Sequence, residues 1–212
     1  MQEIERVFQE AEQVVEQLEG KLRQLESGVD PTGRRYHPDD LEAERQRVLA
    51  EAEQRMARLE QRLGEALDRA VEKGDFLLRE WGLRGADALD FRLRVDRAIA
   101  THGDPQRVLR RERARAVQDR DRGRIAWLVR ECDAYLDADR ARAFVADALE
   151  VLGTVVSGPD RELIALYRQL RTPEGRSRLE TRLAPAIGRV RRLKSGRQGM
   201  TVREFLQLIE SG

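Results

Sequence analysis

Apolar residues at the start of the chain fall at Ile4, Phe8, Ala11, Val15, Leu18, Leu22 and Leu25, with spacings that alternate four and three. That alternation is a heptad seam, and it fixes a helix that buries a narrow stripe against a partner helix. A second seam follows at Leu49, Ala52, Met56, Leu59, Leu63, Ala66 and Ala70. Between them lies Ser27-Gly28-Val29-Asp30-Pro31-Thr32-Gly33, whose Asp, Pro and Gly suit the first, second and fourth places of a type I turn. Pro38 fits the first turn of the next helix, with Asp39 and Asp40 beside the positive end of its dipole. Two heptad helices joined by a short loop either fold back on each other or pair with other chains. Fold-back is the simpler solution, so residues 1–82 are expected to form an antiparallel coiled-coil hairpin with its tip loop at about 27–38.

The second helix is expected to run from Pro38 to Trp81, with Phe76, Leu77, Leu78 and Trp81 seeking a partner in the rest of the chain. Beyond Gly82 the punctuation becomes closer. One helix is expected over 86–101 with Leu89, Leu93 and Val95 inward. Asp104 caps the next and Pro105 opens it. That helix or helix pair reaches Leu136 and breaks near Gly123, because 118–124 holds no apolar residue. Further helices are expected over 139–156 and 159–171, and from Thr172 to about Lys194, with a kink or split at Pro185. The last, at about 201–210, starts with a capping box, Thr201-Val202-Arg203-Glu204. Its Phe205, Leu206, Leu208 and Ile209 form a candidate docking stripe. No period-two strand pattern occurs, so the class is all-α: a hairpin followed by a helical bundle over 83–212.

Composition agrees. The 212 residues are 37% charged and 5% aromatic, which suits long helices with narrow seams, and the net charge of +1 argues against disorder. Arginine outnumbers lysine 37 to 3 and asparagine is absent, a bias that either a GC-rich genome or heat tolerance produces. The charge is uneven: residues 1–80 carry 13 basic and 20 acidic side chains, and 81–212 carry 27 and 19. Residues 105–130 hold nine Arg against three acids, and 171–203 hold ten basic residues against two acids. Three readings compete: attraction between acidic and basic parts of one molecule, contact between molecules, and a nucleic-acid footprint. For the last, Arg107, Arg110, Arg111, Arg113 and Arg115 share one short helix opposed only by Glu112, and are the candidate phosphate-binding residues.

No arrangement of catalytic residues emerges. His37, His102 and Cys132 are scattered, which leaves neither a zinc site nor a nucleophile with its base. Cys132 reads as a small buried hydrophobe. Asp39-Asp40 and the Asp137/Asp139 pair fit helix capping better than a divalent cation. Phosphate-binding and dinucleotide loops are missing, and Gly196-Arg197-Gln198-Gly199 reads as a linker. The expectation is a non-enzyme with no cofactor and no metal.

A single cysteine, no leader at the N-terminus and no long apolar run point to a cytoplasmic chain, of a cell or of an infected host cell, with no membrane partner. The tip of the hairpin is the candidate partner-binding site, through Asp30, Arg34, Arg35, Tyr36, Asp39 and Asp40. In outline this arm resembles that of bacterial transcript-cleavage factors, which reaches into a channel of RNA polymerase with acids at its tip. It departs from them in its tip sequence and in the all-helical domain that follows. The function expected first is an arginine-rich assembly, scaffold or adaptor component, of a viral or bacterial particle, that binds protein partners or itself as a homo-oligomer. The alternative is a regulator that binds nucleic acid or the transcription machinery.

Overall fold

The computed structural model describes residues 2–29 and 35–195, the side chain of Pro173 excepted. The described residues are all-α, and their only β-type pairing is a bridge between Val29 and Arg35. Among the described residues nine α-helices follow one another: α1 Gln2–Glu26, α2 Pro38–Trp81, α3 Gly85–His102, α4 Pro105–Gln118, α5 Arg122–Glu131, α6 Ala138–Val155, α7 Pro159–Leu170, α8 Pro173–Thr181 and α9 Ala184–Ser195. The capping box at 201–204 and the stripe Phe205, Leu206, Leu208 and Ile209 lie outside the described residues, as do Asp30 and Arg34 of the tip.

Local chemistry explains the boundaries. Gly103 ends α3 in the left-handed region, at φ 70°, and its N–H bonds the Ile99 carbonyl. The carboxylates of Asp104, Asp121 and Asp137 each accept the backbone N–H three residues on, and so start α4, α5 and α6. The expected break near Gly123 lies slightly earlier, at 119–121, where Asp121 caps α5. Gly123 is needed for another reason: a Cβ there would sit 3.0 Å from the Trp81 carbonyl oxygen. Thr172 accepts the Gly175 N–H with its hydroxyl, and Pro185 sits one residue inside α9, after the expected split.

The described residues divide into two units, 67–176 and 2–66 with 177–195. This differs from a boundary at residue 82. In the second unit, α1 and the first part of α2 run antiparallel. Arg62 donates to Glu10 at 2.5 Å, Arg55 to Gln17 at 2.7 Å, and Lys21 lies 3.6 Å from Glu51. Steps of seven and four along α1 match equal steps back along α2, a register compatible with the heptad reading. The reason for the different grouping is α9. It lies against α1 and buries Ala186 and Val190, with Leu183 just before it. Two neighbours widen the apolar face of α1, so Val7 and Val14 are buried beside the seam, while Phe8 is only half-buried under the Arg182 guanidinium, 3.9 Å from its ring centre.

Charge also joins this third helix to the other two. Residues 2–66 hold ten basic and sixteen acidic side chains, and 177–195 hold six basic and one acidic. Arg182 pairs with Glu5, Arg189 with Glu12 and Glu19, and Lys194 with Glu53. Of the six basic residues over 177–195, Arg182, Arg189 and Lys194 are thus paired with acids of their own unit. Such exposed pairs are worth a few tenths of a kcal/mol each, so they fix register more than stability.

The core of the other unit gathers Leu78, Phe91, Val95, Leu109, Leu128, Phe144, Leu149, Leu152, Ile164 and Tyr167. At its centre α5 is buried all round, through Gly123, Ile125, Ala126, Trp127, Leu128 and Val129. One expectation about this core fails. Leu89 and Leu93 do not face inward, because the buried row of α3 is Phe91 and Val95 with Ala88, Ala98 and Ile99 packed at its edge. Phe76 likewise points out, whereas Leu78 is buried and Trp81 packs at the core edge.

Candidate functional site

The basic helix α4 holds the one buried charge among the described residues. Glu112 is 3% exposed, and both its oxygens are engaged: Arg94 of α3 donates at 3.0 Å and Arg115 at 2.7 Å. A buried carboxylate needs such partners, since removing either ion from water is expensive. The arrangement sorts the five arginines expected to form one row. Arg115 is drawn to Glu112, and Arg113 turns inward to lie 5.6 Å from the Phe144 ring centre and 3.3 Å from Asp147. Arg107, Arg110 and Arg111 remain exposed at helical spacing. Of the four exposed arginines of α4, Arg115 is held by Glu112, which leaves three cations and no exposed acid, because the helix's only acid is buried.

At the tip, the Tyr36 N–H donates to the Gly28 carbonyl and Val29 bridges Arg35, which closes the loop. Gly28 is in the left-handed region there, at φ 66°. Arg35, Asp39 and Asp40 are exposed and Tyr36 is half-buried, so these four stand together at one end of the helix pair. Asp39 lies 3.7 Å from His37. Asp137 and Asp139 do not converge on a common point: the first caps α6 and the second pairs with Arg142. No group of acids, histidines or cysteines among the described residues is placed to hold a metal ion. None of their helices is long and apolar enough to cross a membrane.

Cys132 is 1% exposed, and burial pushes its thiol up to about 11, which removes the thiolate that nucleophilic chemistry needs. Two tyrosines are tied to acids. Tyr135 donates to Asp96 at 2.8 Å, and Tyr167 donates to Asp75. Burial and then the neighbouring acid push Tyr135 up to about 12, and the same causes raise Tyr167. A phenol in an unfolded chain ionises near 10. These tyrosines hold their protons longer when folded, so their contribution is complete below about pH 10 and is lost as pH rises toward 12. The denaturation midpoint should fall across that interval, and a Tyr135→Phe, Tyr167→Phe double variant should show a shallower fall. Equal slopes for the two proteins would rule out this origin.

A feature that sequence reasoning placed wrongly is the outer face of α3. Leu89 is 57% and Leu93 51% exposed, one helical turn apart, and Phe76 is 57% exposed. Isolated apolar side chains at a surface are ordinary, but two in register on one helix form a patch. The signal was present as apolar residues on both sides of α3, although spacing alone did not say which side was covered. Compared with protein-family models, with curated proteins and with solved structures, the chain matches none.

Proposed function

We propose that this chain is a non-enzymatic protein-interaction component, an assembly, scaffold or adaptor protein of the cytoplasm that docks other protein surfaces. The exposed pair Leu89 and Leu93 carries this reading. It lies on a helix whose opposite side closes a packed core, and leaving it in water costs about 25 cal/mol per Å² of apolar area that a partner would remove. The tip residues Arg35, Tyr36, Asp39 and Asp40 give a second contact point, and Cys132 and the engaged tyrosines offer no reactive group. Cross-linking of the full chain in lysate of its source cells should yield protein adducts that a Leu89→Asp, Leu93→Asp variant loses. Identical adducts from both proteins would count against this reading.

The acid-free face of α4 supports a second reading, contact with nucleic-acid phosphates. Three engaged arginines predict a slope of about −2.7 for log affinity against log salt. Fluorescence anisotropy with a labelled duplex should show that slope, and it should vanish in an Arg107→Glu, Arg110→Glu, Arg111→Glu variant. No binding at low salt would remove this reading.

A further inference from the structure

The outer face of α3 carries more than its two leucines. Ala86, Leu89, Leu93 and Ala100 are all exposed and fall at spacings of three, four and seven, which makes one row along the helix. The charges of α3 divide into those already engaged and those that are not. Arg94 is bound to Glu112, and Asp96 is bound to Tyr135 with Arg92 beside the same phenol. Asp87, Asp90 and Arg97 are exposed and have no side-chain partner among the described residues. These three are sorted by sign: the acids stand in the first half of the helix and the base in the second.

A row with acids at one end and a base at the other complements itself when run in the opposite direction. In an antiparallel pair of α3 helices, Leu89 of one copy meets Leu93 of the other, and Asp87 and Asp90 approach Arg97 across the seam. Ala86, near one end of the paired stretch, adds little bulk between the helices. A parallel pairing would instead set acid against acid and base against base. Antiparallel pairing is also what a two-fold axis generates, since each patch then contacts its own copy. We propose that the outer face of α3 is a self-association surface, and that its occupant is α3 of a second copy of this chain. This rests on the protein-interaction reading above and names the partner. One helix face buries less than the ~1,200 Å² of a standard stable interface, so the association is of the weak class.

The test is light scattering after gel filtration of the full chain at low salt, over a concentration series from roughly micromolar to several hundred micromolar. The mass should rise from one chain of 24.4 kDa toward two. Leu89→Asp with Leu93→Asp should weaken association at least tenfold with an unchanged far-UV circular dichroism spectrum, because both side chains lie outside the core. Arg97→Asp alone, and Asp87→Arg with Asp90→Arg, should each weaken it. The three charge changes together should restore it, which association through any other face would not show. A chain that stays at one-chain mass throughout, or a leucine variant that associates like the parent, overturns the proposal. If the parent stays monomeric yet loses foreign protein adducts on Leu89→Asp, Leu93→Asp substitution, the second copy falls and the protein-interaction reading stands. If neither association nor adducts respond, both fall.

Discussion

Gly74→Ala should destabilise the protein, whereas Gly64→Ala, ten residues earlier in the same helix, should stabilise it. Both glycines lie inside α2, where glycine costs roughly 0.5–1 kcal/mol against alanine through backbone entropy. At Gly64 a Cβ would meet nothing within 4 Å, so the substitution keeps the entropic gain. At Gly74 a Cβ would lie 2.5 Å from Cγ and 2.9 Å from Cε2 of Tyr167, with Cδ2 nearer still. The ring has little room to yield. Tyr167 is 2% exposed, its hydroxyl is bound to Asp75, and the Arg171 guanidinium lies 5.9 Å from the ring centre. Overpacking of this kind costs about 1–3 kcal/mol, and this contact is tight enough for the upper end, which outweighs the helix-propensity gain. The net change expected is a loss of about 2 kcal/mol, or several degrees in Tm, against a small rise for Gly64→Ala. Thermal unfolding of the two variants beside the parent decides it. A Gly74→Ala variant as stable as Gly64→Ala would mean that the close approach of α2 to Tyr167 is wrong.

That contact shows where sequence reasoning ends. Helix ends were legible because capping is local: Gly103, Asp104 and Pro105 each act within four residues of themselves, and so do Asp137 and Pro159. Gly74 carries no such local signal. Its partner lies 93 residues away, and no local pattern joins the two. The inward face of α3 failed for another reason. Ala88, Phe91, Val95 and Ile99 make one helical row, and Ala86, Leu89, Leu93 and Ala100 make a second. Periodicity locates rows, but burial depends on which neighbour arrives. The same limit hid the partners of the cations over 182–194: only packing against α1 and α2 shows that Arg182 meets Glu5, Arg189 meets Glu12 and Glu19, and Lys194 meets Glu53. The candidate phosphate row was half legible. Its arginines share a helix as expected, yet burial of Glu112 diverts Arg115 and packing on Phe144 diverts Arg113, which leaves Arg107, Arg110 and Arg111.

Trp127→Ala should cause the largest loss of any single substitution considered, about 4 kcal/mol. Trp127 is 4% exposed on α5, the helix enclosed on all sides by its unit, and truncation would open a cavity in that unit's core. Its indole stands edge-on to Phe91, with ring centres 4.9 Å apart and planes at 86°. Aromatic pairs in this geometry contribute about 0.5–1.5 kcal/mol beyond buried area. The surroundings do not collapse easily onto the gap, because Phe91 is also held from outside by the Arg94 guanidinium, 4.8 Å from its ring centre, and Arg94 is bound to Glu112. A loss near 4 kcal/mol is a large part of the 5–15 kcal/mol that stabilises an ordinary domain. The unit should therefore populate unfolded forms under conditions that leave the parent intact. Denaturant titration followed by far-UV circular dichroism measures the loss. A cycle with Phe91→Leu isolates the ring pair, with an expected coupling of about 1 kcal/mol. Coupling near zero would mean that the two rings merely share a core, and that the full cost of Trp127→Ala comes from the cavity.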